Sequence, residues 1–103
     1  MRLVGMVYEE TRSFPREEMF GLTSQMRRAS VSVPCNIAEG QGRATKKDFG
    51  HFLAMARGSM LELQTQIQIA ADLQLLSASK ASLLFGRTEE LLRMLSSLMK
   101  SLA

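Results

Sequence analysis

Apolar residues recur along this chain at steps of three and four, the spacing that lines one face of an α-helix. Val4, Val7, Tyr8 and Thr11 predict a short first helix over residues 2–12. It is broken by SFPREEMFG, where Pro15 suits a first turn better than a helix interior and Gly21 permits a turn. Leu22, Met26, Ala29, Val33 and Ile37 predict a second helix from Leu22 to about Gly40, with Pro34 inside it. A proline there removes the hydrogen bond to the Ser30 carbonyl and costs roughly 3 kcal/mol in an ordinary helix interior. The expectation is a bend, not an end, because the Ser30 and Ser32 hydroxyls lie close enough to serve loosened backbone groups.

Thr45 followed by Asp48 reads as a capped helix start, and a third helix should run from about Lys46 to Leu75. Its core stripe is Phe49, Phe52, Leu53, Ala56, Met60, Leu63, Ile67 and Ala70. Ser77 or Ser79 can cap a fourth helix that carries Leu84, Thr88, Leu91, Leu95, Leu98 and Leu102. Short connections between successive helices imply antiparallel neighbours. The expected fold is all-α: an up-down-up-down four-helix bundle, one domain over residues 1–103, with a Pro-kinked second helix and a short first helix.

Composition agrees with helix. Apolar residues make up 46% of the chain but aromatics only 6%, and straight-chain side chains lose little rotamer freedom in a helix. The single cysteine, Cys35, excludes an internal disulfide and is expected to be a buried or half-buried thiol with no base beside it. No apolar run approaches the roughly 20 residues that span a bilayer, and no leader pattern is present, so the expected compartment is the cytoplasm, with no membrane partner.

Charge changes the picture more. The net charge of +3 is mild, but residues 27–57 hold Arg27, Arg28, Arg43, Lys46, Lys47 and Arg57 against Glu39 and Asp48. That is a local excess of +4, while the rest of the chain carries −1. Such a field attracts phosphates or acidic surfaces. Arg43, Lys46 and Lys47 beside the start of the third helix make a general anion site or a solvated basic turn.

Helical projection also aligns Gln25, Arg28, Ser32, Asn36, Glu39 and Arg43 on one side of the second helix, off its core stripe. Three readings stay open: a solvated face, polar groups bonding a neighbouring helix or subunit with an Arg as counter-charge, or direct ligand contact. In the second, Glu39 meets an Arg and Asn36 bonds a nearby backbone or side-chain group. A further apolar strip, Val31, Pro34 and Ala38, together with Leu61 and Ile69 off the third helix's core stripe, suggests a subunit interface.

Catalytic and metal chemistry find little support. His51 has no ligand at zinc spacing, and Glu9, Glu10, Glu17, Glu18, Glu89 and Glu90 fall in adjacent pairs that diverge on a helix, so neither a metal site nor a cofactor is expected. GQGR followed by TKK lacks the phosphate-loop pattern. A hydrolase would need a base, nucleophile and anion hole that these residues do not supply.

The segments FPREEMFGLTSQMRRASVSVPCNIAEGQGR and KKDFGHFLAMARGSMLELQTQ, within a match from roughly Tyr8 to Leu76, resemble the four-helix bundle proteins first known as 23S rRNA intervening sequence proteins. That family is similar to the accessory variability proteins of diversity-generating retroelements. The shared signature falls on Gln25, Arg27, Arg28, Ala29, Ser32, Pro34, Asn36, Ile37, Ala38, Glu39 and Gly40, then on Gly58, Ser59 and Glu62. The resemblance implies a bacterial bundle that forms a homopentamer, has no catalytic activity and, in the retroelement branch, binds nucleic acid and works with a reverse transcriptase. Family members usually carry a longer first helix ahead of the position of Tyr8. With seven residues there, part of the core against helices two and four is expected to be exposed.

Together these readings predict a non-enzymatic, nucleic-acid-binding oligomer that holds RNA or DNA through phosphates. Its positive surface would be Arg27, Arg28, Arg43, Lys46, Lys47 and Arg57, and its structural polar network Gln25, Ser32, Asn36 and Glu39. The alternative is a structural or protein-interaction module whose basic residues are only solvated.

Overall fold

Each of the four expected helices forms. A computed structural model describes residues 2–102: α1 Arg2–Thr11, α2 Leu22–Gln41, α3 Lys46–Asp72 and α4 Ala78–Ser101, with one 3-10 turn at Arg16–Glu18 and no strand among the described residues. Helix α1 packs on α2 and α4, α2 packs on α3, and α3 packs on α4, as in a helical bundle. The core between them is built of Leu3, Val7, Met26, Val33, Leu53, Ala56, Met60, Leu63, Ala70 and Leu84, all fully buried.

The predicted stripes hold in their middle, with Ile37, Phe49, Phe52 and Leu102 only half-buried, and three readings are corrected. In α1 the buried face is Leu3, Val7 and Thr11, whereas Val4 is half-buried and Tyr8 exposed; the i, i+4, i+8 row turns the helix slightly from the expected face. In α4, Leu98 is 37% exposed, because no helix packs over that part of the α2/α4 seam. Cys35 is exposed, lying on the side of α2 opposite its core stripe.

Helix α2 runs unbroken through Pro34 to Gln41. The serine hydroxyls do not turn to the Ser30 carbonyl. Ser30 Oγ donates to the Arg27 carbonyl at 2.8 Å, and Ser32 Oγ accepts from Asn36 Nδ2 at 2.9 Å, while Asn36 Nδ2 also reaches the Ser32 carbonyl at 2.8 Å. Side-chain donors thus reinforce the backbone on both sides of the proline.

Helix α3 begins as predicted, with Thr45 Oγ1 accepting from the Asp48 amide at 3.1 Å, but ends at Asp72 instead of Leu75. Gln74 adopts a left-handed φ of 61°. The Gln74 amide then donates to the Ala71 carbonyl at 3.0 Å and the Leu75 amide to the Ala70 carbonyl at 2.8 Å, the paired bonds of a Schellman stop. Glycine ordinarily takes that position, and nothing in helical periodicity marks a glutamine for it. At the start of α4, Ser77 and not Ser79 provides the cap, accepting from the Lys80 amide at 3.2 Å.

Gly40 is buried where α2 meets the first turns of α3. A Cβ there would stand 2.8 Å from Phe52 Cβ and 2.9 Å from Phe49 Cδ1, so only hydrogen fits and the two helices close on each other at this point. That close approach positions the loop that carries Arg43 against α3.

Candidate nucleic-acid interface

The basic residues that lie close together in sequence are distributed by the fold over four places. Arg27, half-buried, faces α1: its guanidinium carbon sits 4.6 Å from the centre of the Tyr8 ring, and its Nε donates to Thr11 Oγ1 at 2.9 Å. Thr11 Oγ1 donates in turn to the Val7 carbonyl at 2.8 Å, so Arg27 ties α1 to α2.

The second place is the corner between α2 and α3. Arg43 Nη2 meets Glu39 Oε1 at 3.2 Å, one helical turn back, and its guanidinium lies 4.7 Å from the Phe52 ring centre. Glu39 therefore does contact an arginine, within its own chain and in the open. An exposed i, i+4 pair of this kind contributes little to stability, and its chief effect is to aim Arg43 across the ring. Lys46 and Lys47 are exposed on the first turn of α3, where Asp48 is the nearest acid in sequence, and neither makes an ion pair among the described residues.

Between these two places the polar stripe of α2 meets α3. Ser59 Oγ donates to Ser32 Oγ at 2.9 Å, so Ser32 accepts from Asn36 on its own helix and from Ser59 across the seam. Beside this junction lies a cleft of about 510 Å³ lined by Gln25, Arg28, Ala29, Ser32, Ser59 and Glu62. Further along α3, Gln66 is buried; its Nε2 donates to Glu62 Oε1 at 3.2 Å while its own Oε1 has no partner. The stripe that sequence alone left between three readings thus divides. Ser32 and Asn36 are structural, Glu39 and Arg43 are solvent-exposed, and Gln25 and Arg28 line an open cleft.

Arg57 stands apart from both. It lies on the α4 side of α3, in a groove of about 400 Å³ with Leu61, Leu92, Arg93, Ser96, Ser97 and Lys100. Arg93 and Lys100 were not among the sequence candidates. Their signal was there: positions 93, 96, 97 and 100 follow the spacing of one helix face, but they lie in the part of the chain whose summed charge is negative.

Among the described residues no cluster of three or more His, Cys, Asp or Glu could hold a metal ion, and no helix is long and apolar enough to cross a membrane. Comparison with known proteins places the chain. The family model for the 23S rRNA-intervening sequence protein matches residues 1–97. The chain belongs to this family. A solved structure of a protein with unknown function from the S23 ribosomal protein family of Bacteroides thetaiotaomicron VPI-5482 superposes with a TM-score of 0.83. The match covers 96% of this chain and 89% of that one, at 19% identity, a level at which the likeness speaks for the fold. No curated protein matches the chain. In this member of the intervening sequence protein family Gly40 makes the close approach to Phe49 and Phe52, and Ser32 and Ser59 bond each other across the α2/α3 seam.

Proposed function

We propose that this intervening sequence protein is a non-enzymatic, nucleic-acid-binding homo-oligomer that holds RNA or DNA by its phosphates at the α2/α3 corner. The observation that carries the reading is the joint placement of Arg43, Lys46 and Lys47 at that corner, exposed and around the first turn of α3, with Arg28 exposed further along the polar side of α2. A helix start and lysines without ion-pair partners are suited to phosphate oxygens. The chain has few aromatic residues on which bases could stack, so the reading is of weakly sequence-selective binding. Arg27 is left out of this surface, since its guanidinium is engaged by Tyr8 and Thr11.

The reading takes the bundle as a single up-down-up-down domain bent at Pro34, cytoplasmic, and assembled into a ring of about five copies. Such a ring would repeat the corner and multiply the net charge of +3 fivefold. It extends to service beside a retroelement reverse transcriptase, which co-purification with such an enzyme tests.

The direct test is a titration of labelled RNA and DNA across salt concentrations, with sedimentation to count the copies. Binding should weaken steeply with salt, because each neutralised phosphate releases counterions, and Lys46→Glu with Lys47→Glu should weaken it at least tenfold. No binding at low salt overturns the reading.

The second reading, a protein-interaction module, is favoured by one observation. An apolar trough of about 180 Å³ lies open between α2, α3 and α4, lined by Val33, Ile37, Met60, Leu91, Met94, Leu95 and Leu98. Exposed apolar surface of this kind marks contact with another protein or another copy.

A further inference from the structure

We propose that the α3/α4 groove is a second phosphate-binding track, built for a chain of phosphates. It rests on the reading above in one respect, that nucleic acid is the source of those phosphates.

The groove is lined by Arg57 from α3 and by Arg93 and Lys100 from α4, with Ser96 and Ser97 between the latter two and Leu61 and Leu92 as its apolar part. No carboxylate and no amide lines it. Among the described residues none of the three cations makes an ion pair, although the neighbouring Arg87 has one with Glu90. Three like charges held round one groove repel each other, and an anion among them removes that cost. The chemistry of the lining is one-sided. Arginine and lysine only donate, and the serine hydroxyls can donate, so the groove matches the acceptor oxygens of phosphate; it lacks the paired donor and acceptor that asparagine or glutamine offers to adenine and the carboxylate that would accept from cytosine. The α2/α3 cleft, with Gln25 and Glu62, is the contrary case.

Spacing fits a chain better than a single ion. Arg93 and Lys100 are seven residues apart on one face, about 10.5 Å along α4 at 1.5 Å per residue. That is farther than one phosphate group extends, so the two cations are spaced for different phosphates of one strand. The track also has a direction. Lys46 and Arg57 are eleven residues apart on α3, within about 20° of the same side at 100° per residue, so the groove leads toward the α2/α3 corner. One strand following it would meet Arg93, then Arg57 and Lys100, before reaching Lys46.

The test uses the intact protein, labelled single-stranded RNA and DNA of varied sequence, and inorganic tripolyphosphate. Arg93→Glu with Lys100→Glu should lower oligonucleotide affinity at low salt at least tenfold and flatten the salt slope by about two contacts, whatever the base sequence. Arg93→Lys with Lys100→Arg should restore both. Because the three cations oppose one another, the reversal should leave the melting temperature unchanged or raise it, which a purely structural role for these residues would not do. Tripolyphosphate should shift the backbone amide resonances of Arg57, Arg93, Ser96, Ser97 and Lys100. If oligonucleotides bind through Lys46 and Lys47 while the Arg93/Lys100 reversal changes neither affinity nor slope, the second track is overturned and the corner stands. If no oligonucleotide binds but tripolyphosphate shifts the groove, the nucleic-acid reading falls and the groove's phosphate chemistry stands. Neither ligand perturbing the groove overturns this inference outright.

Discussion

Helix α2 has two halves with the same kind of sequence and different fates. Over the first half α1 forms a roof: Thr11, Thr23 and Ser30 are buried, Arg27 bridges to Tyr8 and Thr11, and Leu3 and Val7 fill the seam toward α4. Over the second half no described residue covers the same side. Pro34 and Ile37 are half-buried, and Met94 and Leu98 of α4 are exposed at 63% and 37%. The two halves differ in whether α1 lies over them. At 1.5 Å per residue the ten residues of α1 reach about 15 Å, against about 30 Å for α2 and 36 Å for α4. Leu95 and Leu98 are equally good core residues by pattern. What separates a buried leucine from an exposed one here is whether a third helix reaches it.

The largest expected effect is in the fully enclosed core. Leu84→Ala removes a side chain with no exposure and should cost 2–5 kcal/mol, about the range for a buried leucine, measured by urea unfolding. If this costs no more than the same change at Leu98, the distinction between the halves fails.

Next comes the point where the open half is held to α3. Gly40→Ala would drive a methyl into Phe52 Cβ and Phe49, and should cost about 1–3 kcal/mol, the usual penalty of overpacking. Gly58→Ala, with nothing within 4 Å of its Cβ position, should stabilise α3 slightly by helix propensity. Equal melting temperatures for the two variants would contradict the close approach.

Arg27→Ala removes the tie between roof and α2. Loss of the stacking and of the bond to Thr11 should cost about 1–2 kcal/mol and speed hydrogen exchange in α1 ahead of α3. Uniform protection across all helices after this change would show that α1 is held by its apolar face alone.

The smallest effect on the isolated chain belongs to the open trough. Leu98→Ala gives up side-chain surface that is already partly in water and should cost about 1 kcal/mol or less. Any larger loss that grows with protein concentration would show that another copy covers the trough, and sedimentation of the same variant checks that directly.

Much of this was legible in the pattern of residues. Helix number, the cap at Thr45, a serine cap at residue 77 or 79 and the stripe from Leu53 to Ala70 follow from periodicities and side-chain chemistry that act within a few residues. The Schellman stop at Gln74 was not legible, because a left-handed glutamine is held by the chain around it and not by its own preference. The basic surface was legible only as a total. Counting charge along the chain joined Arg27, Arg28, Arg43, Lys46, Lys47 and Arg57. The fold turned Arg27 inward to α1 and set Arg57 with Arg93 and Lys100, which come from another helix.

What the sequence by itself determined is therefore local: where helices start, which residues share a helix face, and the signature that marks the family. Tertiary structure alone decided which faces are covered and which charges share a groove. Helix periodicity is set by backbone hydrogen bonds within one element, whereas burial and electrostatic neighbourhood depend on the lengths and packing of the others.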